Sequence, residues 1–427
     1  MQLTKNKTNL KVMLTSASCA LLGHSSPVSA EENWQFDTAI MQYAEVDRVM
    51  ATEAIIAGKK TFENDEILSL KLTIDALTGA SPNGAVAQST PQTFTRPSGN
   101  GQYKIEASDT PLDDTFKDTR VQLTAQWTQP LLQDYTVSIG GNFSKEYDYL
   151  SASINSNIAK DFNQKNTTFS AGISYAYDVI EPEGGIAKPL TELVINEFGQ
   201  PHFDEAFNQT RTGTDEQKST ADLLFGVTQV INRQMIVQLN YSYSTSSGYL
   251  TDPFKIISLV NSNGEAQSYL YENRPDERTK HAFFGQTKYH VDNGVLNASY
   301  RFMTDDWAID SHTFDFKYFM PFDNGHYIEP HIRLYTQSAA EFYQPFLQQD
   351  GKLPNFVSAD YRIGELDTYT LGLKYGVPLN NGNKLAFRFE YYHQTPKSNG
   401  TEAIGILKGV EMYEEVDAII AQVTYSF

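Results

Sequence analysis

Four aspartates crowd one short polar stretch of the chain, and their side chains could coordinate a metal ion. Carboxylate oxygens are the ligands that Ca²⁺ prefers in proteins. The spacing matches no calcium-loop pattern, so a solvated acidic surface is the competing interpretation. The sequence therefore predicts no cofactor, with a calcium ion at these acidic residues as the alternative. The four residues are Asp109, Asp113, Asp114 and Asp118.

The histidines are scattered along the sequence, and none forms a helical metal-binding pair such as HExxH. Only His331 falls at an inward position of a predicted strand with charged neighbours, which makes it a candidate ligand or proton carrier. No serine motif with a matching histidine and acid is legible. We therefore predict that the protein is not an enzyme.

Further charged side chains occupy alternate positions of segments whose sequence pattern predicts β-strands. By parity these side chains share one face, opposite the apolar residues. Charged groups that leave bulk water must be paired or hydrated, so they line a water-filled channel or form a ladder between strands. The predicted pore-lining residues are Arg120, Lys317, Glu329, His331, Arg333, Lys374, Arg388 and Glu390.

The segments that position these residues alternate apolar and polar side chains with a period of two, as transmembrane β-strands do. In 311–337, Phe314 and Phe316 flank Asp315, and a tight turn at 323–326 joins two such runs. Similar pairs of runs, joined by short turns of Asn, Asp and Gly, recur along the chain.

We predict an all-β fold, a transmembrane antiparallel up-and-down β-barrel of about sixteen strands. Single-chain bacterial outer-membrane barrels have an even number of strands. Fourteen strands is the alternative, because the first link near Glu45 is unusually tight. The last run places Ile419, Val423 and Phe427 on one face of a final strand. This ending resembles the signal that the outer-membrane assembly machinery reads.

Residues 1–30 read as a signal peptide, with a lysine-containing head, an apolar stretch at 12–22 and small residues at 28–30. We predict that 31–427 forms the barrel, located in the bacterial outer membrane. Such barrels have short periplasmic turns and long external loops. The long extracellular loops are predicted at 78–116, 178–217, 246–278, 338–362 and 396–414.

Composition narrows the choice of partners. The sequence has 33 Lys and Arg against 52 Asp and Glu. This acidity argues against nucleic acid, whose affinity depends on cationic contacts to phosphate. The one cysteine, Cys19, lies in the predicted leader, so disulfides and thiolate metal sites are not expected. The 25 Tyr and 25 Phe suit the aromatic girdles that barrels place at both edges of a bilayer.

Five blocks of sequence resemble an uncharacterised family of outer-membrane β-barrels that carries the label of a domain of unknown function. The resemblance spans most of the predicted mature chain and implies no settled activity. Family members often lie near genes for a periplasmic flavin transferase, a thioredoxin-like protein and a small lipoprotein, which implies an envelope redox or metal-related system. The blocks are YAEVDRV at 43–49, LTGASPNGA at 77–85, a run at 111–120 that ends in TFKDTR, GYLTDPFK at 248–255 and ENRPDERTKHA at 272–282.

The block at 77–85 is rich in turn-forming residues, and we predict that its loop folds inward and constricts the pore. The constriction residues would be Ser81, Pro82, Asn83 and Gly84. In the block at 272–282, several charged side chains are expected to form ion pairs that lock a loop.

Two main hypotheses follow. The first is a porin-like channel for small polar or ionic solutes, surrounded by outer-membrane lipids and inserted by the barrel assembly machinery. The alternative is a scaffold that holds a small lipoprotein or a periplasmic redox protein instead of conducting solute. A third hypothesis is a metal site or an enzyme built from the acidic loops.

Overall fold

The alternating segments form a closed barrel. The computed structural model describes residues 34–114, 117–196, 198–380 and 382–427. Sixteen antiparallel strands pair in sequence order, and the last strand pairs with the first. The predicted fold class is therefore confirmed with sixteen strands, and the fourteen-stranded alternative is wrong. The predicted signal peptide lies outside the described residues.

The barrel strands are numbered here in chain order. They are β1 (Trp34–Glu45), β2 (Val49–Thr61), β3 (Ile67–Gly79), β4 (Asp118–Leu132), β5 (Tyr135–Lys145), β6 (Tyr149–Phe162), β7 (Thr167–Ile180), β8 (Glu216–Asn232), β9 (Met235–Gly248), β10 (Glu277–Val291), β11 (Gly294–Asp305), β12 (Asp310–Pro321), β13 (Tyr327–Gln337), β14 (Leu366–Pro378), β15 (Lys384–Pro396) and β16 (Val416–Ser426).

The tight first link is what made a strand count of fourteen the alternative. Only residues 46–48 join β1 to β2. Asp47 adopts a left-handed backbone with φ of 53°, a conformation that Asp tolerates better than most residues. This lets the chain reverse within three residues.

The two faces of each strand differ as the period of two requires. Outward side chains are large, apolar and exposed, for example Ile154 at 69 % and Leu239 at 58 %. Inward neighbours such as Thr73 and Asp75 are polar and buried. This wall has an apolar outside for lipid and a polar inside, which is the arrangement of outer-membrane barrels.

The connections at the two ends of the barrel differ in length. Seven short turns lie at one end, the longest of them five residues. The other end carries three short links and five long loops, and the long loops are 80–117, 181–215, 249–276, 338–365 and 397–415. The turn between β4 and β5 lies at 133–134. The pairing continues past Pro130 with a register shift before Leu132.

Aromatic side chains line the short-turn end on the outside. Trp34, Phe36, Phe427 and Tyr425 form a continuous stack with ring centroids 5.2 to 5.5 Å apart. This stack covers the seam where β1 meets β16. Aromatic belts of this kind sit at the headgroup level of a bilayer. Among the described residues, no helix is long and apolar enough to cross a membrane.

At the opposite end of the barrel, the outer face carries histidines that bind tyrosines. His281 and His312 each lie 2.8 Å from a tyrosine hydroxyl, those of Tyr241 and Tyr300. A tyrosine that presents an apolar ring and a polar tip is suited to the edge of a bilayer. Some of the scattered histidines therefore belong to an aromatic belt at the end of the barrel that carries the long loops.

Substitution of the lipid-facing Ile173 by arginine, written Ile173→Arg, should destabilise the barrel by about 2–4 kcal/mol, the cost of an arginine near the bilayer midplane. Asn157 is the matched control, because it faces inward on β6, directly opposite Gly172. Asn157→Arg should cost much less. Denaturant unfolding in lipid vesicles measures both. Equal destabilisation by the two substitutions would contradict the assignment of inner and outer faces.

Candidate functional site

The five long loops pack together into one body, called here the cap. Its centre is the loop 249–276, which contributes strands Ile256–Val260 and Ala266–Tyr271 of a three-stranded sheet. The third strand, Phe346–Gln348, comes from another loop and pairs in parallel with the first. A sheet shared between loops fixes their positions relative to each other.

The cap has hydrophobic cores of its own. One cluster of buried side chains combines Val86, Val260, Phe346 and Leu407, each from a different loop. Burial of such side chains stabilises by about 1.5–3 kcal/mol each. The loops are therefore held by packing, as the parts of a soluble domain are.

The cap extends across the mouth of the barrel. Loop 80–117 leaves the wall six strands away from loop 249–276, yet the Ile256 amide donates to the Asn83 carbonyl at 2.9 Å. Loop 397–415 meets the same central loop from the other side, where the Ile406 amide donates to the Asn263 carbonyl at 2.8 Å. Loops that start this far apart on a closed ring can only meet over its opening.

Six charged side chains from two loops form a buried ionic cluster inside the cap. Arg274 contacts Glu272 at 2.6 Å and Asp360 at 2.8 Å. Arg362 bridges Asp360 at 2.6 Å and Asp252 at 2.5 Å. The members of the ionic cluster are Asp252, Lys255, Glu272, Arg274, Asp360 and Arg362.

Burial and charge compete in setting the pKa values of the ionic cluster. Burial raises the pKa of Glu272 above its ordinary value, although Arg274 opposes the shift. Burial acts to raise the pKa of Asp360 as well, but Arg362 and Arg274 hold it well below the ordinary value. Asp360 is thus the carboxylate that keeps both arginines paired.

The predicted constriction residues contact this cluster. The Lys255 ammonium donates to the Pro82 carbonyl and lies 3.5 Å from the Ser81 hydroxyl. The Asn83 side chain donates to the Tyr103 hydroxyl at 2.9 Å. Gly84 has φ of +101°, and a Cβ there would lie 2.3 Å from the Ile256 carbonyl oxygen. Residues 81–84 are therefore partly buried and pack against the central loop of the cap.

Below the cap, a second charged group lies on the inner wall and is called here the His331 network. His331 on β13 places Nε2 2.9 Å from Asp315 and Nδ1 2.9 Å from Glu390. Carboxylate oxygens only accept hydrogen bonds, so with both acids ionised the two ring nitrogens donate and the imidazole is cationic. Arg333 adds a 2.7 Å contact to Asp315.

The contact between His331 and Glu390 spans three strands. His331 and Glu390 both align with Gly372 on β14, which lies between them. A Cβ at Gly372 would lie 2.6 Å from Cγ of Glu390. The glycine therefore leaves the space through which Glu390 reaches across β14.

The remaining predicted pore-lining residues lie on the inward parity of their strands. Arg120 on β4 is buried and contacts Asp75 at 2.6 Å and Glu53 at 3.8 Å. Glu329 and Lys374 align across β13 and β14 near the short turns. Lys317 lies 3.8 Å from Asp315, and Arg388 lies 3.9 Å from Glu390. The structure thus brings Lys317, His331, Arg333, Arg388 and Glu390 together on one wall and places Arg120 on another.

The four aspartates of the predicted calcium site have different surroundings. Asp109 lies in a turn, Asp113 pairs with Ser81 in a short sheet and Asp114 contacts Arg96 at 2.9 Å. Asp118 instead meets Glu146 and Asp148, with carboxylate oxygens within 4.8 Å of one another.

These three carboxyl groups perturb each other. Burial, followed by Asp118, raises the pKa of Glu146 to about 8 and that of Asp148 to about 6. Oxygen atoms this close could ligate a hard cation such as Ca²⁺. The sequence analysis identified Asp118 as a candidate ligand but not Glu146 and Asp148. These two residues approach Asp118 only through the pairing of β4 with β5, across 28 residues or more.

Sequence reasoning found only part of the ionic cluster. Glu272 and Arg274 lie in the block 272–282, where ion pairs were expected, and they form one at 2.6 Å. Arg278 pairs instead with Asp305 at 2.5 Å and lies 4.3 Å from the Trp307 ring. Asp360 and Arg362 were missed, since nothing near them in the sequence marks a partner 86 residues away.

A closed sixteen-stranded barrel with a lipid-facing apolar wall, a charged lumen and aromatic edges defines an outer-membrane β-barrel. The outer membrane is accordingly its location. Residues 11–427 match a family described as "Protein of unknown function (DUF3570)". The chain belongs to this family, which confirms the resemblance to an uncharacterised barrel family.

Solved structures with a similar fold are distant in sequence. A bacterial polysaccharide outer membrane secretin matches with a TM-score of 0.42 and 7 % identity, over 93 % of this chain and 100 % of that one. OccK3 (OpdO) of Pseudomonas aeruginosa matches at 0.41 and 8 %, over 92 % and 95 %. The ferric enterobactin receptor PfeA of the same organism matches at 0.43 and 7 %, over 92 % of this chain and 60 % of that one. No curated protein matches the sequence.

Replacing the buried carboxylate by Asp360→Asn should loosen the cap. The change keeps the side-chain shape but leaves Arg274 and Arg362 short of an anion, and breaking a buried pair in this way costs roughly 3–5 kcal/mol. Hydrogen exchange of 249–276 and 338–365 should accelerate, while exchange of the barrel strands stays slow.

Asp367→Asn is the control for that experiment. Asp367 contacts Lys397 at 2.8 Å, but the two side chains are 48 % and 40 % exposed, and exposed pairs contribute about 0–1 kcal/mol. If both variants exchange like the parent protein, the ionic cluster does not hold the cap.

The turn 146–148 should become less stable as pH rises. The folded state raises the pKa of Glu146 from 4.5 to about 8, so it binds the proton more tightly than the unfolded chain does, and stability falls between these pH values. Glu146→Gln should flatten this decline, measured as hydrogen exchange of the turn across pH 4.5 to 8. Glu181→Gln, at a neighbouring exposed acid 3.8 Å from Lys145, should keep the parent profile. A parent profile in Glu146→Gln would contradict the assignment.

Proposed function

We propose that this protein is an outer-membrane channel for small polar or ionic solutes, with the cap as its constriction and the His331 network as its selectivity element. The observation that carries the proposal is the placement of charged side chains on the inner wall of a closed barrel. Sixteen-stranded barrels are wide enough for an aqueous passage. Rings and clusters of charged side chains are the usual means by which pores discriminate between ions.

The exposure of individual charges indicates which residues meet the solute. The Arg333 side chain is 49 % exposed and that of Arg388 is 34 % exposed, whereas those of Glu390 and His331 are 7 % and 8 % exposed. The two arginines therefore face the water, while the buried histidine and glutamate fix the wall behind them. This division supports selection by the exposed cations.

The cap supports a passage that is narrow rather than open. Loops joined by a shared sheet, hydrophobic cores and buried ion pairs do not move independently. Solutes would pass between the loops of the cap or require its partial release. A cleft of about 650 Å³ lies between the loops 80–117, 181–215 and 249–276. Its polar lining, which includes Gln92, Asn196 and Gln267, suits a polar solute on its way to the lumen.

A scaffold function is the second candidate, because a cap with its own hydrophobic core could also seal the barrel permanently. In that case the barrel would hold a small lipoprotein or a periplasmic redox protein at its periplasmic end. The two functions separate in planar bilayers, where a scaffold carries no current. Asp360→Asn should loosen the cap, so a closed channel should then carry current in the bilayer, whereas a scaffold should carry none.

Removal of one exposed cation should change the ion selectivity of the channel. Arg333→Gln removes positive charge from the lumen, so the ratio of cation to anion permeability should rise, as should that of Arg388→Gln. Reversal potentials in a salt gradient across a planar bilayer measure this ratio. Lys60→Gln is the matched control, because Lys60 lies on the outer face over the Phe62 ring, and it should leave selectivity unchanged.

Two outcomes would count against the channel. Unchanged permeability ratios in both arginine variants would remove the His331 network as the selectivity element. An absence of current in the parent protein and in Asp360→Asn would favour the scaffold, and co-purification of a small lipoprotein would then be expected.

A further inference from the structure

The lipid-facing wall of the barrel carries a groove that conduction does not use. The groove has a volume of about 530 Å³ and crosses strands β6 to β10 on the outside of the barrel. Almost all of its lining is apolar, with Ile158, Phe169, Phe225, Leu239 and Phe283 around it. Large exposed side chains such as Ile154 and Ile173 flank the groove on the same outer wall.

One small residue creates the groove. A row of outward residues in register across five strands reads Ile158, Ala171, Phe225, Tyr241 and Phe283. Ala171 is the only member of this row without a large side chain. Its methyl group forms a floor, while the aromatic and aliphatic neighbours form walls. An apolar groove at hydrocarbon depth has the shape and polarity to hold an acyl chain.

A lysine marks one end of the groove. Lys160 lines it and aligns with Phe169 on the neighbouring strand. The Lys160 ammonium lies 4.7 Å from the centre of the Tyr135 ring and 4.8 Å from that of Phe162. All three residues lie at the short-turn end, where lysines reach the headgroup level of a bilayer. The groove thus joins an apolar body to a cation at the depth of lipid phosphates.

A second outer lysine provides a comparison within the same barrel. Lys60 lies 4.7 Å from the Phe62 ring, almost the same arrangement as Lys160 and Phe162. Beside it, however, the space above Gly58 is covered by the Phe36 ring, which a Cβ there would meet at 2.8 Å. The lysine over an aromatic ring is therefore common to both places, and the adjoining groove distinguishes Lys160.

We propose that this groove is a binding site for one anionic phospholipid. One acyl chain lies in the groove over Ala171, and the phosphate group pairs with Lys160. The lipid comes from the leaflet at the short-turn end, which is the periplasmic leaflet in the predicted orientation. The site does not depend on whether the barrel conducts solute, because every residue in it faces outward.

Native mass spectrometry of the full-length protein in detergent tests the site. Titration with phosphatidylglycerol should give one tightly bound lipid, and phosphatidylcholine with the same acyl chains should bind more weakly. Each lysine near the surface contributes about 1 kcal/mol to binding of anionic lipid. Lys160→Gln should therefore weaken the phosphatidylglycerol complex about fivefold.

Two further variants make the test specific. Ala171→Phe fills the groove with an apolar side chain that lipid tolerates, so the barrel should fold while the bound lipid is lost. Lys60→Gln should bind phosphatidylglycerol like the parent protein.

Three outcomes would overturn the proposal. One is equal binding of both lipids, and a second is undiminished binding in Lys160→Gln and Ala171→Phe. The third is a mass of two or three chains that falls to one chain in Ala171→Phe, since the groove would then be an interface between copies.

Discussion

A backbone amide or carbonyl group in the core of a bilayer has no water to bind, and the architecture of this protein follows from that constraint. A strand at the open edge of a sheet would leave such groups unsatisfied. The chain removes the edge by pairing β1 with β16, where the Phe36 amide donates to the Phe427 carbonyl at 2.8 Å. Because every strand is then fixed between two others, each inward side chain has a defined neighbour, and charged groups can be arranged across several strands.

The cap follows different rules from the wall beneath it. Away from lipid, its loops bury apolar side chains in cores, as water-exposed domains do. Buried ion pairs add little net stability compared with apolar packing, but they are strongly directional. Arg274 and Arg362 both contact Asp360, so this carboxylate links the loops 249–276 and 338–365 in a defined orientation. The ionic cluster therefore specifies the shape of the cap more than it strengthens it.

The predictable and unpredictable parts of this protein divide by the range of the interactions. The barrel could be predicted from the sequence, because the alternation of apolar and polar residues is local and repeats in every strand. The inward orientation of Arg333 and Glu390 follows from the same alternation. The contact of Glu390 with His331 could not be predicted, because it depends on the space that Gly372 leaves in the strand between them. Arg274 and Asp360 lie 86 residues apart in two different loops, and the folded barrel brings these loops together. The end of β4 was also not predictable from local residues, because pairing continues past Pro130 with a register shift before Leu132.

The cores of the cap have a consequence for the order of assembly. Val86, Val260, Phe346 and Leu407 meet only after most of the wall has formed, because each belongs to a loop between different strands. Contacts between residues so distant along the chain are slow to form. We therefore expect the wall of the barrel to close before these cores pack, so that during insertion the protein passes through a stage with an uncovered interior.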